Sequence, residues 1–169
     1  MRKLTSVSVV VSAALTAGMV AAAPASAGGY RCSSSTRELD TPQYDGPWPD
    51  NWRVTTTLCA KRSKGRVYAY ARVRWDGPNG ALGGGFTNDA YFLVRIRAAG
   101  KVKASKRFHG IESRWDHSDS NGNYNGSYRT GTVSWKGRTA AVAAGSLNLE
   151  WADDGKGFRS TSFTSSPRV

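Results

Sequence analysis

The residues best suited to chemistry are the basic side chains concentrated between Trp52 and His109. This stretch holds thirteen lysines and arginines and only two acids, a net charge of +11, while the whole chain carries +12. A block of one sign attracts partners of the opposite sign and speeds their association. The chemistry on offer is therefore the binding of carboxylate or phosphate groups.

Alternation of residue types indicates which of these cations share a face. Residues 66–75 and 91–97 alternate apolar side chains with tyrosines and arginines, as half-buried strands do. The outward rows combine flat aromatic rings with guanidinium groups, which bind carboxylate or phosphate through two parallel hydrogen bonds. Alternatively, the long side chains form a solvated surface that covers apolar atoms beneath. The predicted partner-binding residues are Tyr68, Tyr70, Arg72, Arg74, Arg95, Arg97, Lys101, Lys103 and Arg107, with Trp48 ahead of the strands.

Two pairs of like charges strengthen the hypothesis of an acidic partner. A three-residue turn at 98–100 would place Arg97 opposite Lys101 and Arg95 opposite Lys103. Like charges in directly opposite positions destabilise a sheet. A surface that serves only solubility mixes the two signs more often. The pairs therefore favour a negative group at this face.

The elements that carry these residues are short strands, and no helical periodicity is present. The pattern predicts an all-β fold, an antiparallel β-sandwich or partly closed barrel of about six to eight strands, as one domain over residues 52–169. Lys106 would point inward, which marks strand 101–108 as an edge strand. The first hairpin is expected to turn through residues 62–65 with both apolar sets on one face. The predicted hairpins join 52–60 to 66–75, 91–97 to 101–108, 128–135 to 138–144, and 147–152 to 158–164.

The first 27 residues have the pattern of an export signal. A short positive segment and an apolar stretch precede Ala25-Ser26-Ala27, the small-residue sequence typical of a cleavage site. The sequence therefore predicts a secreted, extracellular protein that is not inserted in a membrane after cleavage. Cys32 and Cys59 are expected to form a disulfide in that oxidising environment.

Residues 28–51 are expected to form an extended N-terminal arm, because proline cannot donate to a sheet ladder. The disulfide would fasten this arm to the first core strand. Trp48 lies between Pro47 and Pro49, in a stiff segment that loses little entropy on binding. It could dock on a partner, or it could fold back against one end of the sandwich.

A calcium site is weakly suggested by the alternating oxygens of Asp119, Asn121 and Asn123. However, Tyr124 occupies the sixth position of this segment, where a calcium loop requires glycine. An ordinary turn rich in Asp and Asn explains the segment better. We predict neither a metal site nor a cofactor.

Two other functions are alternatives to binding of an acidic partner. His109, Glu112 and His117 supply the acid and base of a small ribonuclease-like hydrolase. Since no motif marks a nucleophile, no catalytic residue is assigned and an enzyme is not favoured. A carbohydrate-binding module would use exposed tryptophans, for which Trp48 and Trp115 are the candidates.

The sequence thus predicts a secreted, non-enzymatic binding or adaptor protein. Its expected partner is either an acidic secreted protein or an anionic polymer. Nucleic acid fits the charge but is not favoured. The carbohydrate-binding module and the small hydrolase remain as alternatives.

Overall fold

The computed structural model describes residues 29–42, 51–77, 87–115, 124–152 and 154–169. The predicted export signal, Trp48 and the segment 119–123 lie outside these residues. Nine strands and one short helix form the described part. In chain order they are β1 (Arg31–Leu39), β2 (Trp52–Ser63), β3 (Arg66–Asp76), β4 (Thr87–Ala98), β5 (Lys101–Phe108), α1 (Glu112–Trp115), β6 (Gly126–Arg129), β7 (Val133–Lys136), β8 (Ala141–Trp151) and β9 (Phe158–Ser162).

The strands form two antiparallel sheets that pack against each other. Sheet 1 has the order β1-β2-β3-β6, and β7 also pairs with β3. Sheet 2 has the order β5-β4-β8-β9. The predicted all-β sandwich is confirmed, and so is the edge position of β5.

The core forms where the apolar rows of the two sheets meet. In β3 the inward positions alternate strictly with outward ones, and Val67, Val73 and Trp75 are buried. Phe92 and Ile96 of β4 face them from sheet 2 and are fully buried. Each large apolar side chain removed from water stabilises the fold by about 1.5–3 kcal/mol. This burial fixes which residues face outward.

The first hairpin turns through two residues rather than the four expected at 62–65. Ser63 pairs with Arg66, and Lys64 and Gly65 occupy the turn with φ angles of 47° and 72°. The register is therefore displaced by two residues from the prediction. Because side chains alternate with a period of two, this displacement leaves every side chain on its predicted face.

The second hairpin also has a two-residue turn, and the predicted like-charge pairs are wrong. The ladder shifts between Ile96 and Arg97, so Arg97 lies opposite Val102 and Arg95 lies opposite Ser105. Neither arginine faces a lysine. The shortened turn and the irregularity that follows it account for the difference.

The expected hairpin between 128–135 and 138–144 does not form. Residues 141–151 are one continuous strand of sheet 2, and the segment before them supplies β6 and β7 to sheet 1. Gly145 lies within β8, where a Cβ atom would come within 2.6 Å of the Phe92 ring. This glycine therefore permits close packing instead of a turn. The predicted hairpin across residues 153–156 is confirmed by the pairing of β8 with β9.

The N-terminal arm contains a regular strand, β1, that forms one edge of sheet 1. All nine residues of β1 pair with β2, and the predicted disulfide between Cys32 and Cys59 is confirmed. On the same side, the Thr164 amide donates to Ser35 Oγ at 3.0 Å, which links the C-terminal segment to β1. No helix in the described ranges is long and apolar enough to cross a membrane.

Candidate anion-binding face

The two basic hairpins lie in opposite sheets, so the predicted basic face is divided in two. Tyr68, Tyr70, Arg72 and Arg74 belong to β3 in sheet 1. The remaining strand residues of the predicted site lie in sheet 2, on β4 and β5. The outer faces of a sandwich point in opposite directions, so one flat partner cannot contact both. The residues on sheet 2 are Arg95, Arg97, Lys101, Lys103 and Arg107.

The outer face of sheet 2 mixes its cations with other groups. The Arg107 guanidinium lies 5.0 Å from the centre of the Tyr91 ring. Arg97 Nη2 donates to the main-chain oxygen of Gly100 at 3.2 Å. Asp89 and Glu150 lie directly opposite each other on this sheet. The face is therefore less uniformly positive than the charge of the chain segment implies.

The outer face of sheet 1 concentrates positive charge. Arg72 lies directly opposite Arg129 of β6, and Arg74 follows two residues along β3. With Arg53 of the neighbouring strand β2, these side chains form what we call the arginine face. Like charges opposite each other destabilise a sheet. The repulsion expected on sheet 2 is therefore present on sheet 1.

A shallow groove of about 820 Å³ runs across the arginine face. Its walls combine three arginines with short polar side chains and one acid, Asp76. An anion at the end away from Asp76, beside Arg72 and Arg74, can meet several donors at once. The lining residues are Arg53, Thr55, Arg72, Arg74, Trp75, Asp76, Asn125, Gly126 and Ser127.

Of the four arginines on the arginine face, only Arg53 has acids opposite it, namely Glu38 and Asp76. Arg53 Nε lies 3.2 Å from Glu38 Oε1, but both side chains are more than half exposed, so this pair contributes little stability. Arg72, Arg74 and Arg129 form no salt bridge within the described part of the chain. Three guanidinium groups are thus available to an external anion.

Tyrosines position the cations beside this groove. The Arg129 guanidinium lies 4.4 Å from the centre of the Tyr70 ring, which in turn meets the edge of Tyr30 at 4.8 Å. Lys61 Nζ lies 4.7 Å from the Tyr30 ring centre. Cation–π contacts of this kind contribute about 0.5–1 kcal/mol at exposed sites. They hold Arg129 against the sheet while its donors stay accessible.

A row of hydroxyl groups flanks the arginine face on β1 and β2. Ser34 Oγ and Thr57 Oγ1 are hydrogen bonded at 2.7 Å, and Thr36 Oγ1 and Thr55 Oγ1 at 2.8 Å. Cross-strand hydroxyl pairs stabilise neighbouring strands. The flank is consequently flat and polar, without bulky side chains.

Sequence reasoning missed Arg129 and Tyr30. Arg129 was expected in a hairpin with 138–144, and only the pairing of β6 with β3 brings it beside Arg72. Tyr30 precedes β1 and reaches the face because β1 borders β2. Alternation along one strand cannot identify which strand lies beside it.

Trp115 is a core residue, so its predicted role as an exposed sugar-binding tryptophan is wrong. It is 0% exposed and stacks on Trp52 with ring centres 4.6 Å apart. The Trp75 ring also packs on it, with ring centres 5.1 Å apart. The short helix α1 ends at this residue and carries it inward. The carbohydrate-binding alternative loses one of its two tryptophans.

The residues of the hydrolase alternative are only partly described. His109 is exposed, with Nδ1 3.7 Å from Asp89 Oδ1, and Glu112 begins α1. His117 lies outside the described residues. The main-chain oxygen of His109 accepts a hydrogen bond from the Tyr128 hydroxyl at 2.8 Å. Burial raises the pKa of Tyr128, and the nearby Arg114 partly opposes this rise, so the hydroxyl keeps the proton it donates.

Comparisons with known proteins show a distant likeness to a solved structure. No family model matches the chain, and no curated protein matches it either. The chain is similar to an X-ray structure described as the Northeast Structural Genomics Consortium target SoR45, with 10% identity over 83% of this chain and 85% of the other. The TM-score is 0.32, a likeness too distant to carry fold or function from one protein to the other.

Proposed function

We propose that this is a secreted, non-enzymatic binding protein that docks an acidic protein on its arginine face. One observation carries the proposal. Arg72 and Arg129 lie directly opposite each other, with Arg74 beside them, and no acid in the described part of the chain pairs with any of the three. Carboxylates of a partner would relieve this repulsion and satisfy the guanidinium donors.

The composition of the face favours a protein as the acidic partner. Tyrosine and arginine are enriched at protein–protein interfaces and supply many of the side chains that dominate binding. Here Tyr68 and Tyr70 are half-buried along the same row as Arg72 and Arg74. The flat hydroxyl flank on β1 and β2 would extend the contact area beside them.

An extracellular location is part of the proposal. The export pattern of residues 1–27 supports it, and so does the disulfide between Cys32 and Cys59, since disulfides persist in oxidising environments. An exported adaptor would meet its acidic partner outside the cell.

Reversing two charges of the arginine face is expected to abolish binding. In the double variant Arg72→Glu and Arg129→Glu, the affinity for poly-L-glutamate, used as an acidic polypeptide, should fall at least roughly 100-fold. Each charge-assisted hydrogen bond contributes about 1.5–3 kcal/mol, and two are lost. Isothermal titration calorimetry at low ionic strength measures the change.

The matched control carries the same reversal on the opposite sheet. Arg95→Glu with Lys103→Glu changes the net charge equally but leaves the arginine face intact. We expect this variant to bind within a few-fold of the wild type, and circular dichroism should show that both variants are folded. Loss of binding in the sheet 2 variant alone would reject the arginine face.

An anionic polymer is the second candidate partner. Its binding should weaken steeply with salt, because each neutralised phosphate or carboxylate releases counterions. A protein partner that packs on the tyrosines should depend less on salt. Affinity capture of partners from culture medium, eluted in salt steps, separates the two.

A further inference from the structure

The two ends of the sandwich differ sharply in charge. At one end, which we call the turn end, the β2–β3 turn, the β4–β5 turn, the β7–β8 connection and the C-terminal segment meet. The Gly137 amide donates to the Gly65 main-chain oxygen at 3.2 Å, and Ala98 pairs with Ala141. These contacts bring together residues that are far apart in the sequence.

Every acid in the described part of the chain lies away from the turn end. Glu38 and Asp76 flank Arg53 at the opposite end of sheet 1. Asp89 and Glu150 face each other at the corresponding end of sheet 2. Of the others, Asp40 follows β1, Glu112 belongs to α1, and Asp154 lies between β8 and β9.

The turn end presents only cations among its described charged side chains. Four separate segments of the chain carry these cations. The exposed cations are Lys64, Arg66, Arg97, Lys101, Lys136, Arg138 and Arg168.

A network of hydrogen bonds to main-chain oxygens keeps these connections in place. The Arg62 guanidinium donates to the main-chain oxygens of Gly137, of Thr139 at 2.6 Å and of Val169 at 3.2 Å. Arg31 Nη1 donates to the Arg168 main-chain oxygen at 2.9 Å. The Arg62 donors are thus occupied by the backbone, and Arg97 also donates one hydrogen bond, from Nη2 to Gly100. A pre-positioned array loses less entropy when an anion binds.

A hollow of about 370 Å³ opens at this end, between Arg97 and Arg168. Its floor is main chain and small side chains from residues 98–100 and 139–142. Both arginines line the hollow, and a guanidinium can donate two parallel hydrogen bonds, so the hollow suits an oxyanion with several acceptor oxygens.

We propose that the turn end binds a linear polyanion that carries phosphate or sulfate groups. This inference goes beyond the proposed function, because it concerns a different surface from the one that would hold the acidic protein. The protein would hold an acidic protein on one face of sheet 1 and an anionic polymer at one end of the sandwich.

The chemistry of the turn end favours a polymer over a protein or a lipid surface. A stable protein interface needs a packed apolar or aromatic centre. Of the described side chains, the exposed large apolar ones are Val102 and Phe158, and Phe158 begins β9 at the opposite end. Val102 lies at the turn end, opposite Arg97, but one exposed valine does not form such a centre. The turn end thus offers separated cations around short connections, which suits a flexible chain of regularly spaced anions.

Removing cations from the turn end is expected to reduce both the affinity and its salt dependence. The test variant is Lys64→Gln, Arg97→Gln, Lys101→Gln and Arg138→Gln combined, and the probes are inorganic polyphosphate and, separately, heparin. Each lost anion contact reduces the slope of log K against log salt by about 0.7, so four lost contacts should make this slope shallower by about 3. Fluorescence anisotropy with labelled polymer, over a series of salt concentrations, measures it. Loss of polyphosphate binding would identify phosphate as the preferred group, and loss of heparin binding would identify sulfate.

The control removes the same number of charges elsewhere, through Arg37→Gln, Lys106→Gln, Arg107→Gln and Lys156→Gln. It should keep the wild-type slope, as should Arg72→Glu with Arg129→Glu. Equal losses in the test and control variants would overturn the inference, because net charge alone would then explain binding. So would a wild-type protein that binds neither polymer. A polymer lost only with the Arg72 and Arg129 reversal would also overturn it, while leaving the proposed function in place.

Discussion

Replacing Trp115 with alanine is expected to lower the free energy of unfolding by about 3–5 kcal/mol, the range typical of removing a buried aromatic side chain. The Trp115 ring is fully buried and packs on Trp52 and Trp75, so its loss leaves a cavity at the end of the core. Urea denaturation followed by circular dichroism measures the change. A protein as stable as the wild type would contradict the assignment of Trp115 to the core.

The control for this experiment is Trp115→Phe. Within the described residues the buried Trp115 indole N–H has no hydrogen-bond acceptor, and phenylalanine removes that unsatisfied donor while it keeps an aromatic ring. We therefore expect a much smaller loss than with alanine. A sugar-binding role for Trp115 would instead leave stability unchanged and abolish binding of a carbohydrate.

Removing the disulfide is expected to cost about 3–4 kcal/mol. The link between Cys32 and Cys59 joins residues 27 apart, and the constraint it places on the unfolded chain accounts for a stabilisation of this size. The double variant Cys32→Ser and Cys59→Ser should melt roughly 10 °C below the wild type in calorimetry. Its ladder between β1 and β2 should still form, because all nine residues of β1 pair with β2.

The disulfide also bears on the arginine face. It fastens β1, which carries Glu38 beside Arg53. Cys32 also lies two residues after Tyr30, whose ring packs on Tyr70. The disulfide-free variant should therefore show weaker acidic-polypeptide binding at temperatures where β1 frays. Two free thiols in the purified native protein would contradict the disulfide itself.

The sequence predicted which side chains point into the core better than it predicted which residues pair across the strands. Side-chain direction follows from a period of two, and burial of Val67, Val73 and Phe92 enforces it. Register depends on the turn, and both hairpins turn through a non-glycine residue of positive φ, Lys64 and Ala99. Such residues give little signal, because lysine and alanine seldom adopt this conformation.

The candidate site was predicted only in part, because its remainder depends on topology. Tyr70, Arg72 and Arg74 follow from alternation along one strand. Arg129 joins them only because β6 pairs with β3, an arrangement that no local pattern specifies. The segregation of charge between the two ends likewise arises from bringing distant turns together. Trp115 was misplaced because the helix that buries it has only four residues, too few to show a periodicity.

The central claim is that the outer face of sheet 1 receives an acidic partner. Its most direct test is to titrate isotopically labelled protein with poly-L-glutamate and to follow the backbone amide chemical shifts. The account predicts that the largest shifts fall on β3 and β6 around Arg72, Arg74 and Arg129, with the outer face of sheet 2 little affected. Shifts concentrated on β4 and β5, or no saturable shifts at all, would contradict it.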